Sequence, residues 1–112
     1  MRLGRLSCAG MLLMLPWWVL AQDVPRERQT ALKALLHQDC GSCHGMTLQG
    51  GLGPSLLAKD LGNKPDEFLI ETILNGRPGT AMPPWNSLLT RDEATWLVRM
   101  LRSGSENSPS HP

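Results

Sequence analysis

The feature that most constrains this chain is the run Cys40-Gly41-Ser42-Cys43-His44. It is the Cys-x-x-Cys-His pattern by which a polypeptide attaches a haem of the c type. The two thiols are close enough to add to the two vinyl groups of one porphyrin, and His44 would then supply one axial nitrogen to the iron. Gly41 has no side chain, so the backbone between the cysteines can approach the porphyrin edge. The motif therefore predicts a fold built around a covalent haem.

Two other chemistries use paired cysteines. A structural zinc site needs four ligands, and the chain has no second cysteine pair, while its other histidines are His37 and His111. A thioredoxin-like dithiol should follow a strand in a βαβ pattern, whereas the residues before Cys40 have helical periodicity. Haem attachment is the leading interpretation, with zinc binding and dithiol chemistry as the alternatives.

Residues 1–21 have the features of a secretory signal peptide. Arg2 and Arg5 precede an apolar run over 6–20, and Ala21 stands at the junction with a polar segment. This run is short for a membrane span, which needs about 20 apolar residues. We predict cleavage after Ala21 and export to the periplasm, with an uncleaved anchor as the alternative.

The predicted mature chain is nearly neutral. Loss of the signal lowers the number of Lys and Arg residues from 11 to 9, against 10 Asp and Glu. No basic patch points to nucleic acid. The chain has one Phe and no Tyr, so its core would be marginal at this length, and a buried porphyrin would supply the missing apolar surface. One domain over 22–103 is predicted, as a monomer.

Apolar periodicity predicts three main helices. The first spans about 27–39, with Gly41 as the point where it should loosen. The second spans about 65–75 and should stop at Gly76. The third spans about 90–101 and is expected to pack against the first.

The third helix has a clear start signal and a clear apolar face. Thr90 and Glu93 form a capping box, and the stripe is made by Ala94, Leu97, Val98 and Leu101. Residues 58–64 are predicted to be an irregular link, and residues 104–112 a polar disordered tail. His37 is interpreted as a surface histidine near the end of the first helix.

A glycine-rich loop over 45–57 follows the motif. It does not fit a phosphate-binding loop, because no Lys-Ser or Lys-Thr follows its glycines and no strand precedes them. Histidines that bind a metal nearly always donate their second ring N–H to a carbonyl or carboxylate. We predict that the carbonyl of Pro54 accepts from His44; a simple turn role for Pro54 is the alternative.

The segment 77–85 is rich in Pro and Gly and lacks periodicity, so it should be a loop. Met82 lies in it, and a thioether sulfur held by adjacent prolines suits the second axial position. Met46 is too near His44 in sequence to reach the other side of the iron easily, and Met100 has the character of a core residue. Arg77 suits either a haem propionate or solvent, and Trp85 either the haem or plain packing.

A helix leading into Cys40-x-x-Cys43-His44, a Gly-Pro pair, Met82 in a proline-rich loop and a closing helix together resemble a class I monohaem cytochrome c. The runs around 40–56 and 74–85 resemble the small periplasmic cytochrome c that accompanies cd-type nitrite reductase in denitrifying bacteria. The resemblance implies an all-α class I cytochrome c fold, with three main helices and loops wrapped around one covalent haem c. It also implies attachment through Cys40 and Cys43, axial ligation by His44 and Met82, and orientation of His44 by Pro54.

An iron with both axial positions filled has no site for substrate, so we interpret the chain as an electron-transfer protein and not an enzyme. The electron would cross an apolar rim around Cys40 and Cys43 that includes Met46, Leu48 and Leu52. Redox protein partners are implied, with cd-type nitrite reductase as the candidate. The alternatives are an accessory role in maturing the reductase's noncovalent haem, and a sensor or enzyme with a labile sixth ligand.

Overall fold

The computed structural model describes residue 4 and residues 23–106. The predicted signal peptide, apart from Gly4, and residues 107–112 lie outside the described residues. Regular structure within the described part is entirely helical. The helices are α1 (Arg26–Leu35), a π-helical segment (Leu36–Cys40), α2 (Gly41–His44), α3 (Ala58–Leu61), α4 (Asp66–Asn75) and α5 (Arg91–Ser103). No helix among the described residues is long and apolar enough to cross a bilayer.

The first helix is longer than predicted. The expected loosening at Gly41 is wrong: α1, the π-helical segment and α2 follow one another without a break up to His44. Gly41 is helical, with φ −62° and ψ −27°, and its N–H donates to the carbonyl of Leu36 across the wider π turn. The helix ends at Gly45, where φ is 93°. Residues with a Cβ rarely adopt that conformation, so Gly45 and not Gly41 is the stop.

The remaining boundaries are close to the predictions, with one exception. The predicted link over 58–64 is not wholly irregular, because α3 forms there and its Leu61 is buried. The second main helix, α4, starts one residue after Pro65, which is its N-cap, and stops at Gly76 as predicted. The third, α5, ends at Gly104 in the left-handed conformation.

The apolar stripe of α5 is buried as predicted. Its members Ala94, Leu97, Val98 and Leu101 are all 5% exposed or less. However, α5 packs most extensively on α4 and then on α3, and not chiefly on the first helix. Leu36 and Leu97 both line one cavity, so part of the space between the first helix and α5 is cavity rather than direct contact.

The first helix and α5 are joined at one end by an ion pair. The Arg28 guanidinium donates to both carboxylate oxygens of Glu93, at 2.6 and 3.2 Å, and to the Leu88 carbonyl at 3.1 Å. Glu93 also completes the predicted capping box, because its carboxylate accepts from the Thr90 N–H at 2.9 Å. The hydrogen bond from Arg28 holds the pKa of Glu93 below its usual range.

This ion pair gives a pH-dependent prediction. The pKa of Glu93 is lower in the folded state than in the unfolded state. The contribution of its carboxylate to the free energy of unfolding is therefore complete above the unfolded-state pKa of about 4.3, and it is lost as pH falls through the lower folded-state pKa. Replacing Glu93 by Gln should lower the melting temperature at pH 7 by on the order of 4 °C. The difference from wild type should shrink below about pH 4.

Thermal melts followed by circular dichroism between pH 7 and pH 3 test this. Asp92→Asn is the matched control, since Asp92 is an exposed carboxylate in the same first turn of α5. If the melting temperature of Glu93→Gln stays below that of wild type by the same amount at every pH, the ionisation of Glu93 does not contribute to stability in the predicted way.

The end of the described chain folds back onto the first helix. Gly104 reverses the chain, and the Nε2–H of His37 donates to the Glu106 carbonyl at 2.8 Å. His37 is therefore half-buried and hydrogen-bonded, and it does not lie on the open surface as predicted. Glu106 is itself only 5% exposed. Residues 104–106 of the predicted tail belong to the described part of the chain, and the rest of the tail lies beyond it.

Candidate haem site

The C-terminal end of the first helix presents the motif to a cavity. Cys40, Cys43 and His44 all line it. Cys40 and Cys43 are three residues apart in continuous helical backbone, a spacing that places two side chains on the same face. The π turn before them is an extra-wide turn, and such turns often occur at functional sites. The end of the first helix therefore places Cys40, Cys43 and His44 along the wall of the same cavity.

The two thiols are half-buried and free. Burial, with a smaller effect of the neighbouring Asp39 charge, raises the pKa of the Cys40 thiol to about 11. The thiolate is the reactive form of cysteine, so an unattached Cys40 is a neutral, weakly reactive thiol at pH 7.

His44 is held in one orientation by the loop that follows it. Its Nδ1–H donates to the Pro54 carbonyl at 2.7 Å, which confirms the predicted hydrogen bond. With the proton on Nδ1, the Nε2 lone pair is left for a metal. A Cβ at Gly53 would lie 2.8 Å from both Cε1 and Nδ1 of His44. The absence of a side chain at Gly53 is therefore what lets the ring reach the Pro54 carbonyl.

The loop itself is fastened to the end of the helix. The N–H of Gly53 donates to the Cys43 carbonyl at 2.8 Å, and the N–H of Gly50 donates to the His44 carbonyl at 2.8 Å. Leu48 has a positive φ of 61° and is fully buried, so its expected place on the exposed rim is wrong. Burial of the leucine side chain offsets the strain of that backbone conformation.

Met82 lies on a loop that is held by its own hydrogen bonds. The Arg77 N–H donates to the Met82 carbonyl at 3.2 Å, and the Thr80 hydroxyl accepts from the Met82 N–H at 3.3 Å. That hydroxyl also donates to the Arg77 carbonyl at 2.7 Å. Sequence reasoning missed Thr80, although a hydroxyl residue two positions before a loop methionine is a recognisable turn signal.

Only one methionine of the described residues lines the cavity. It is Met82, which is half-buried. Met46 is 66% exposed, and Met100 is buried in the core at 7%. The structure therefore brings Met82 to the same cavity as His44 and leaves the two rival methionines away from it.

The cavity fits a porphyrin in size and chemistry. Its volume is about 610 Å³, within the range of small-molecule and cofactor sites. Its walls are mainly apolar. They include Leu36, Leu56, Leu69, Ile73, Trp85, Leu97 and Val98. Two thiols, one imidazole and one thioether on a mainly apolar wall match the kinds of donor that a c-type haem uses.

Charged and exposed side chains mark the edge of the cavity. Asp39, Asp60, Lys64 and Arg77 are the charged residues that line it. Leu52 also lines it and is 82% exposed, so the predicted apolar rim is present at Leu52, whereas Met46 is exposed but does not line the cavity. Among the described residues, no group of three or more His, Cys, Asp and Glu is placed to hold a metal ion.

Comparison with known proteins identifies the kind of protein. The family model described as cytochrome c oxidase, cbb3-type, subunit III matches residues 27–101. Cytochrome c55X of Pseudomonas aeruginosa is 55% identical over 86 residues, which are 76% of this chain and 72% of that protein. The solved structure of the c-type cytochrome NirC aligns with a TM-score of 0.73 and 53% identity, over 74% of this chain and 98% of that chain.

A larger protein contains a similar segment. The dihydro-haem d1 dehydrogenase of Pseudomonas aeruginosa is 36% identical over 77 residues, which are 69% of this chain but only 16% of that protein. The likeness is therefore confined to a part of that enzyme the size of this domain. Taken with the fold and the cavity, these similarities show that the chain belongs to the monohaem c-type cytochromes related to cytochrome c55X and NirC, with the class I cytochrome c fold and one covalent haem c.

Proposed function

We propose that this protein is a periplasmic one-electron carrier with His44 and Met82 as the axial ligands of its haem. The observation that carries the proposal is that the imidazole of His44 and the thioether of Met82 belong to residues that line the same, mainly apolar cavity. When bound, the haem supplies one-electron chemistry by cycling its iron between Fe(III) and Fe(II). Cys40 and Cys43 would hold the group through two thioether bonds.

The remaining residues of the site would orient the two axial ligands and shield the haem from water. Pro54 keeps the Nδ1 proton of His44 occupied, so that Nε2 faces the metal position. Thr80 restrains the backbone of Met82, and the leucine-rich walls exclude water. Arg77 lines the cavity and is suited to a propionate, since a guanidinium pairs with carboxylates through two hydrogen bonds.

The partner would dock on the apolar rim. Met46 is 66% and Leu52 is 82% exposed, and a small apolar interface would suit a transient encounter between redox proteins. We propose cd-type nitrite reductase as the electron acceptor, supported by the similarity to NirC and cytochrome c55X. The protein would act as a monomer in the periplasm, after cleavage of the signal at Ala21.

The near-neutral charge of the mature chain gives a test of the carrier role. Electron transfer from the reduced protein to cd-type nitrite reductase should change by less than about threefold between roughly 10 and 150 mM salt, because steering by net charge is weak. Stopped-flow mixing at several salt concentrations measures this. No electron transfer at any salt concentration would contradict the proposed partner, and a steep loss of rate with salt would contradict docking on an apolar rim.

A second function is favoured by one observation, the similarity to part of a dihydro-haem d1 dehydrogenase. A small cytochrome of this kind could accept electrons during maturation of the reductase's noncovalent haem. Deletion of the gene separates the two functions. A nitrite reductase that carries its full complement of haem but turns over slowly supports the carrier, whereas one that lacks its noncovalent haem supports the maturation role.

Binding of carbon monoxide tests the third possibility, a sensor or enzyme with a labile sixth ligand. The reduced carrier should resist carbon monoxide at neutral pH, because a thioether already fills the position. Rapid and complete binding by the wild-type protein would support an open site and contradict the carrier.

A further inference from the structure

Ser55 and Asp60 form a polar pair beside the histidine loop that neither the motif nor the family comparison assigns. The Ser55 hydroxyl donates to Oδ2 of Asp60 at 2.7 Å. The same hydroxyl oxygen accepts from the Leu57 N–H at 3.2 Å. Both Ser55 and Asp60 line the cavity, and Asp60 is on α3, so the pair ties the loop to that helix.

The pair adjoins the peptide group that contacts His44. The Pro54 carbonyl that accepts from His44 belongs to the peptide bond between Pro54 and Ser55. On its other side the loop is tied to the helix through the Gly53 N–H and the Cys43 carbonyl at 2.8 Å. Ser55 and Asp60 are therefore the side-chain anchor on the downstream side of this carbonyl.

We propose that Ser55 and Asp60 are positioning residues that set the strength of the hydrogen bond from His44 to Pro54, and through it the reduction potential of the haem. This rests on the proposed function only in taking His44 as an axial ligand. The hydrogen bond from Ser55 also holds the pKa of Asp60 below its usual range.

The direction of the effect follows from the chemistry of the imidazole. A well-placed acceptor for the Nδ1 proton makes the histidine a stronger donor to the metal, which favours Fe(III). Loss of the anchor lets the Pro54 carbonyl move and weakens that bond. The potential should then rise, and a larger share of the iron should be Fe(II) at any fixed applied potential.

Asp60 could instead act by its charge alone, and three substitutions separate the two routes. Ser55→Ala removes the hydroxyl and keeps the charge. Asp60→Asn removes the charge and keeps an oxygen that can accept from Ser55. Asp60→Ala removes both, and the double variant with Ser55→Ala tests whether the two residues act as one unit.

The experiment is spectroelectrochemical titration of the haem-loaded variants at pH 7. Ser55→Ala and Asp60→Ala should each raise the Fe(II) to Fe(III) ratio at fixed potential by about threefold, the order expected when one hydrogen bond is weakened. The double variant should shift no further than either single one. Asp60→Asn should stay close to wild type. NMR of the ferric protein should show the ring protons of His44 moving in the two alanine variants, a change that a loss of stability alone does not cause.

An unchanged potential in Ser55→Ala overturns the inference, and so does an Asp60→Asn shift as large as that of Asp60→Ala. Either result leaves the carrier role intact, provided the wild-type spectrum shows histidine and methionine ligation. A wild-type spectrum without histidine ligation overturns the proposed function together with this inference.

Discussion

Replacing Met82 by Ala should abolish the weak long-wavelength absorption band that the proposed iron–thioether bond would give to the ferric protein. Met82 is the one methionine of the described residues on the cavity wall, so no other thioether among them is in place to substitute. The potential should fall by on the order of 200 mV, part of the roughly 0.8 V range that axial ligands span. The reduced variant should also bind carbon monoxide readily. Visible spectra and a potentiometric titration measure these changes.

Met46→Ala is the matched control. Met46 is 66% exposed and does not line the cavity, so its loss should leave the band and the potential unchanged. Met100 is a poorer control, because it is buried at 7% and its loss would lower stability. If Met82→Ala keeps the band, Met82 is not the axial ligand, although haem attachment through Cys40 and Cys43 would be unaffected by that result.

Replacing Gly53 by Ala should disable the site from the histidine side. The added Cβ would be 2.8 Å from Cε1 and Nδ1 of His44, closer than carbon and nitrogen atoms can approach without displacement. Either the ring leaves the Pro54 carbonyl or the loop shifts, and overpacking of this kind costs about 1–3 kcal/mol. We expect most of the attached haem to lose its normal axial coordination. Intact mass, haem content and the ferric spectrum measure the outcome.

Gly62→Ala controls for the general effect of adding a methyl group to a loop glycine. Gly62 has a φ of 57°, so alanine is strained there, but beyond its chain neighbours nothing lies within 4 Å of the place that the added methyl group would take. It should lower thermal stability without altering the spectrum. If Gly53→Ala behaves in the same way as Gly62→Ala, the contact with His44 has no role in coordination.

The parts of the site that were predictable are those that depend on neighbours in sequence. The spacing of Cys40, Cys43 and His44 follows from two vinyl groups and one iron. The hydrogen bond from His44 to Pro54 was predicted because an imidazole that binds a metal needs an acceptor for its remaining N–H. The capping box of α5 is likewise a matter of residues three positions apart. Each of these needs no knowledge of the rest of the chain.

Most of the errors concern residues far apart in sequence, or backbone states that tertiary packing stabilises. Leu48 was expected on the rim but is buried with a positive φ, a strain that only the surrounding core explains. His37 was expected to be a surface residue, but it is half-buried and its hydrogen-bond partner is the Glu106 carbonyl, 69 positions away. The helix that carries His37 gives no sign of that bond.

By itself, the order of residues predicted that a haem is bound, and it singled out Cys40, Cys43 and His44 as the residues proposed to hold it, because that motif lies within five consecutive positions. The tertiary structure decided which methionine reaches the cavity wall, how α5 is shared among its neighbours, and that Ser55 and Asp60 support the histidine loop. These features involve contacts between residues that are far apart in sequence. Whether such contacts form depends on how the helices and loops pack in space, and the local sequence does not specify that packing.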